Sequence, residues 1–246
     1  MNRLALALVS FAPLLAQPAP TGAREIMEEV QRRQKAASLH YEGTLEVSGG
    51  GGRVATKSWV FDRIGSFGES RSVLRFTVPA EVKGVALLIV NHPDRASDQW
   101  IWRPAIGREQ RVAIQDRSTR FFGTDFSFED LEERDLNQFE FRLASSEGAN
   151  WVLDAKPKKA SQYETTKVTV SKDRYTVTQV ECFGKKGLVR TIQYRDFERI
   201  KNIWTARTVE VADAQRNSRT TLRYDRVDYN LAMRESDFTV DALRRR

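Results

Sequence analysis

Two spacings of apolar residues divide the chain. Between positions 23 and 38, Ile26, Val30 and Ala37 recur near helical spacing with Arg and Glu between them. That pattern predicts an amphipathic helix, entered after the breakers Pro20 and Gly22 and ended by His40. From Tyr41 onward the period becomes two. Glu42 to Val47 alternates, and Ser48-Gly49-Gly50-Gly51-Gly52 reads as a flexible turn. Strand-like runs follow at 57–63, 69–78, 84–91, 98–103 and 109–114. After a central segment come 138–146, 150–156, 164–171, 175–183, 188–199, 203–212 and 218–229. In the run 69–78, Leu74, Phe76 and Val78 share one face and Arg71, Val73 and Arg75 the other; Trp100 and Trp102 point the same way. Turn signals separate most runs, among them Glu147-Gly148-Ala149 and Gly184-Lys185-Lys186-Gly187. About a dozen short antiparallel strands predict an up-and-down sheet, sandwich or barrel. No long Pro/Gly/Ser linker divides them, which favours one domain, and a short helix over Ser236 to Leu243, capped by Ser236 or Asp237, closes the chain.

The segment between the two strand-rich halves is Arg120-Phe121-Phe122-Gly123-Thr124-Asp125-Phe126-Ser127-Phe128-Glu129-Asp130-Leu131. Ser127 fits a helix N-cap with Asp130 at the third helical position, and Phe126 and Leu131 fit the flanking hydrophobic pair. Glu129 and Asp130 then lie in a first turn, where the helix dipole favours negative charge. Gly123 permits the tight entry, and Asp125 is left to bond backbone amides of the preceding turn. Phe121, Phe122, Phe126 and Phe128 exceed what one short helix hides, so they either plug an open sheet or line a cavity.

Composition adds a compartment. Arg3 followed by the apolar run Leu4 to Leu15 reads as an export leader cleaved after Ala16, and no second apolar run is long enough for a membrane helix. No cysteine stands near the cleavage point to carry a lipid anchor. The only cysteine, Cys182, lies in a strand-like run and reads as a small buried residue. The expectation is therefore a periplasmic protein of residues 17–246. The formal charge of +7 falls to +6 without Arg3, and it is scattered apart from Arg244-Arg245-Arg246. Such a balance suits transient contact with an anionic membrane surface, whereas an exported chain without a basic recognition helix is not a nucleic-acid binder.

Chemistry-bearing motifs are absent. The sequence holds no HExxH, CxxC, P-loop or GxSxG, and neither of its two histidines, His40 and His92, sits within a local cluster of metal ligands. No metal, cofactor or catalytic residue is expected. The alternative resource is apolar. Trp59, Phe61, Leu74, Phe76, Leu88, Val90, Trp100 and Trp102 lie on consecutive strands. On a flat sandwich they form core; on a curved, partly open sheet they line a concave pocket suited to acyl chains.

The stretch Gly123 to Leu131 resembles the G-[ST]-D-F-[ST]-[YF]-E-D-L signature of an uncharacterised subgroup of the LolA/LolB-like outer-membrane lipoprotein-sorting family. Lys83-Gly84-Val85-Ala86-Leu87-Leu88 and Gln99-Trp100-Ile101-Trp102-Arg103-Pro104-Ala105 are similar to the same subgroup. The resemblance implies an incomplete antiparallel β-barrel of about eleven strands with helices as a lid over an apolar concave face. It also implies a non-catalytic carrier for the acyl chains of lipoproteins or other lipids, served by an inner-membrane transporter of the ABC or RND type. A regulatory or adaptor module on the same fold, sensing envelope amphiphiles or docking on an RND-type exporter, is the alternative, and a hydrolase is a third reading.

Overall fold

Turns of a few residues between alternating strands leave each strand little choice of neighbour beyond those before and after it. The computed structural model describes residues 22–49 and 54–245. The expected leader 1–16 and most of the glycine turn lie outside these residues. Helix α1 (Ala23–Gln34) is followed by β1 (Ser38–Ser48), β2 (Val54–Ile64), β3 (Arg71–Val78), β4 (Ala86–Val90), β5 (Asp98–Arg103) and β6 (Arg108–Arg111). Then come β7 (Phe139–Ser145), β8 (Asn150–Pro157), β9 (Thr165–Ser171), β10 (Val177–Gly184), β11 (Gly187–Ile200), β12 (Ile203–Asp213) and β13 (Ser218–Tyr229). All thirteen form one antiparallel sheet in the order β6-β5-β4-β3-β2-β1-β13-β12-β11-β10-β9-β8-β7. Two meanders thus meet at the β1–β13 pair, and the sheet curves without closing because β6 and β7 do not pair. The connection from β6 to β7 returns across the concave face.

One ladder is incomplete. β1 pairs β13 from Leu39/Tyr229 to Ser48/Arg219, and β11 pairs β12 along nearly its whole length. Pairing between β12 and β13 is confined to Thr208–Asp213 and Ser218–Arg223. Below it, side chains stand in for backbone bonds. Lys201 Nζ donates to the Tyr229 carbonyl at 2.7 Å, Arg207 to the Asp225 carbonyl at 3.2 Å, and the Thr205 and Tyr229 hydroxyls meet at 2.9 Å.

The helices are shorter than the sequence pattern predicts. α1 stops at Gln34 because Lys35 turns extended, and His40 belongs to β1, where it faces Asp62 of β2. Ala23, Ile26 and Val30 bury one face of α1 against Leu153, Ala155, Val168 and Val170 of β8 and β9. The expected helix after Ser127 is a single 3₁₀ turn, Glu129–Leu131, and the expected terminal helix is two such turns, Glu235–Asp237 and Asp241–Arg244. In the second of these, Thr239 Oγ1 accepts from the Ala242 amide at 3.3 Å, so neither Ser236 nor Asp237 is its cap. The terminal segment lays Phe238 and Leu243 on the convex face of β4 and β5.

Candidate functional site

What a curved sheet can hold depends on what already fills its concave face. Over β1–β5 that face is full. Trp59 and Phe76 pack with Phe121 and Phe126, their ring centroids between 5.4 and 6.4 Å apart. Phe128 meets Phe121 edge-on at 5.4 Å, Phe122 does so at 5.2 Å, and Leu131 packs at the margin. Each buried phenylalanine contributes about 1.5–3 kcal/mol. The chain reverses through Phe122 and Gly123 with φ of 45° and 75°, a region in which glycine bears no Cβ penalty. Gly43 of β1 stands opposite Trp59, and a Cβ there would lie 3.3 Å from the indole nitrogen and 2.7 Å from Leu222 Cδ1.

The acids of this segment do more than start a turn. Ser127 and Asp130 make the reciprocal bonds of a capping box: Asp130 Oδ2 accepts from the Ser127 amide at 2.6 Å, and Ser127 Oγ accepts from the Asp130 amide at 3.3 Å. Asp130 is also buried against the Arg190 guanidinium of β11 and accepts from the Tyr163 hydroxyl at 2.7 Å. Glu129 accepts from the Gln162 amide at 3.0 Å and pairs with Arg134 at 2.5 Å, so the segment is held by distant partners rather than extended as an α-helix. Asp125, fully buried, pairs with Arg120 at 2.5 Å. It accepts from the Ser218 and Thr220 hydroxyls of β13 at 2.5 and 2.8 Å rather than from backbone amides of the preceding turn. The segment is a bolted plug.

The eight aromatic and aliphatic strand residues grouped by the sequence divide between two faces. Trp59, Phe61, Leu74 and Phe76 are concave; Phe61 stacks on Tyr41 at 4.8 Å. Leu88, Val90, Trp100 and Trp102 are convex, packed with Phe238 and Leu243, and cannot share a cavity with the first four. The physical reason is parity. β3, β4 and β5 pair Val73 with Leu88 and Leu88 with Trp100, placing all three on the face opposite Leu74.

Open space lies farther along the concave face, where β12 and β13 part. A cavity of about 350 Å³ is walled by Tyr41, Tyr194, Tyr224 and Tyr229 with Ile203, Val209 and Val180, and Met27 and Gln34 of α1 cover it. Burial pushes the Tyr194 hydroxyl up to about 12 and raises those of Tyr41, Tyr224 and Tyr229, so all four stay neutral. Arg63 and Glu133, joined as an ion pair, are the charged groups on the wall. Sequence grouping missed these tyrosines. Their signal is an aliphatic residue followed two positions later by tyrosine: Leu39–Tyr41, Ile192–Tyr194, Leu222–Tyr224 and Val227–Tyr229.

Elsewhere the reactive side chains are occupied. His40 lies 2.7 Å from Asp62, and His92 lies 3.0 Å from Asp98. Cys182 is buried, and burial pushes its thiol up to about 12.

Comparison with known proteins bears on this geometry. A family model described as an uncharacterized protein matches residues 68–245. No curated protein matches the chain. Among solved structures, a domain from Vibrio parahaemolyticus named for outer membrane lipoprotein sorting superposes with a TM-score of 0.86 at 24% identity, covering 91% of this chain and 98% of its own. A DUF1329 family protein from Desulfovibrio piger gives 0.84 at 22% identity, covering 90% and 97%. A LolA superfamily protein from Nitrosomonas europaea gives 0.73 at 18% identity, covering 91% and 100%. These likenesses establish a LolA-like fold, with thirteen strands where the sequence resemblance implied about eleven.

Proposed function

The chain belongs to the family of uncharacterized proteins matched over residues 68–245, and on its LolA-like fold we propose that it is a non-catalytic periplasmic carrier of amphiphiles. The observation that carries this reading is the apolar cavity of about 350 Å³ left open beside a fully packed plug. Its wall offers aromatic and aliphatic surface, neutral hydroxyls and one ion pair, which suits an acyl chain at about 0.8 kcal/mol per buried methylene. Residues 17–246 form the carrier, and the leader 1–16 directs it out of the cytoplasm. The cargo is the acyl chain of a lipid or lipoprotein, received from an inner-membrane transporter and exchanged at an anionic membrane surface. Trp59, Phe61, Leu74 and Phe76 then act through the plug rather than as cargo contacts, apart from Phe61, which backs Tyr41.

Native purification followed by mass spectrometry of extracted lipid, with uptake of a fluorescent fatty acid, tests the reading. Co-purified acyl lipid or saturable uptake of about one probe per chain is expected. A protein that arrives free of lipid and takes up no probe refutes it.

A further inference from the structure

A second pocket, of about 230 Å³, adjoins the first; Gln34 and Trp204 line both. Its character is opposite. Arg33, Arg174 and Arg199 line it, with no carboxylate in the wall. Arg33 lies 3.9 Å over the Tyr175 ring and is paired with Glu29 at 2.6 Å. Arg174 packs over the Phe197 and Trp204 rings at 5.1 and 5.8 Å, and its nearest acid, Asp173, stands 3.8 Å away. Arg199 has no ion pair among the described residues. Two buried polar atoms here lack any hydrogen-bond partner: Arg174 Nε and the hydroxyl of Thr176, a residue only 1% exposed. A buried donor left unpaired costs stability unless a ligand uses it.

We propose that this pocket is the head-group site of the carrier, taking the phosphate of a single-chain anionic amphiphile whose chain enters the tyrosine-walled cavity. The inference rests on the carrier reading and narrows it. Three guanidinium groups and a hydroxyl offer more donors than the two oxygens of a carboxylate use, whereas a phosphate presents three peripheral oxygens. The apolar cavity sets the tail. At about 350 Å³ it stands at the small end of ligand cavities, which favours a single chain.

Titration calorimetry on the full chain, below micelle concentrations, tests this with dodecyl phosphate, dodecanoate, dodecyl maltoside and inorganic phosphate. Dodecyl phosphate is expected to bind about tenfold or more tightly than the maltoside, consistent with one charge-assisted contact, and more tightly than dodecanoate or inorganic phosphate. Arg199→Gln and Thr176→Val should each reduce the ratio of phosphate to maltoside affinity severalfold. Arg199 is exposed and has no ion pair among the described residues, so its variant is expected to fold, and thermal melts check both. Equal affinity for phosphate and maltoside heads, or a ratio unmoved by either variant, overturns the head-group site. Inorganic phosphate binding as tightly as dodecyl phosphate marks a free-anion pocket and overturns the link to the chain. Dodecanoate matching dodecyl phosphate overturns the choice of phosphate. Absence of binding by every dodecyl probe removes the carrier reading itself.

Discussion

Asp130→Asn removes one charge from the bolt that holds the plug to β11. Arg190 and Asp130 have side chains only 3% and 2% exposed, so water cannot replace the lost partner. The remaining acid near Arg190 is Asp213, 3.8 Å away, and Arg190 Nε already lacks a partner. Asparagine keeps one oxygen for the Ser127 amide and can still meet the Tyr163 hydroxyl, so the loss is mainly electrostatic. Leaving one member of a buried pair uncompensated costs about 3–5 kcal/mol, and the residual Asp213 interaction argues for the lower end. For a chain of this size, 1 kcal/mol moves Tm by about 2–4 °C, which gives a fall of roughly 6–12 °C. Calorimetry and urea unfolding measure it. The double variant Asp130→Asn/Arg190→Met removes both charges and should regain at least half of the loss. A single variant that melts within about 2 °C of the parent, or a double variant less stable than the single, refutes the account.

Three further outcomes follow from the packing. Gly43→Ala places a Cβ 2.7 Å from Leu222 Cδ1 and 3.3 Å from both the Arg223 carbonyl and the Trp59 nitrogen; overpacking of this kind costs about 1–3 kcal/mol, measurable by denaturant melts. Val180→Trp projects an indole into the tyrosine-walled cavity and should abolish fatty-acid probe uptake with a Tm change below about 4 °C; retained uptake places the chain elsewhere. Stability should fall at alkaline pH. Cys182 and Tyr194 are both pushed up to about 12 by burial, so the unfolded chain releases their protons first. Their contribution is complete below about pH 9 and is lost progressively toward pH 12, which urea midpoints at pH 7, 9 and 10.5 will follow.

The sheet was legible because each strand alternates and each turn carries glycine or charged punctuation; the thirteen strand runs read from the chain correspond to the thirteen observed. The faces of β4 and β5 were not. Ala86 to Ile89 is buried on both sides, since the residues around Phe238 cover the convex face, and continuous apolar runs carry no parity. Ser127 and Asp130 do form local cap bonds, but the partners that decide their burial, Arg190 and Tyr163, are 60 and 33 positions from Asp130. The cavity was hidden for a different reason. Its tyrosines look like ordinary core positions until β12 and β13 separate, and no local signal in either strand reports that separation.

The short β12–β13 ladder divides the barrel into two leaves, one of β13 and β1–β6, the other of β7–β12, with the six paired residues on each strand as their hinge. The plug crosses between the leaves as a strap. Asp125 fastens it to β13 on one leaf, and Asp130 fastens it to β11 on the other. Both fastenings, Ser218 and Thr220 on β13 and Arg190 on β11, lie where the β12–β13 ladder is intact, so the plug braces the hinge end, and the cavity opens at the end where that ladder stops.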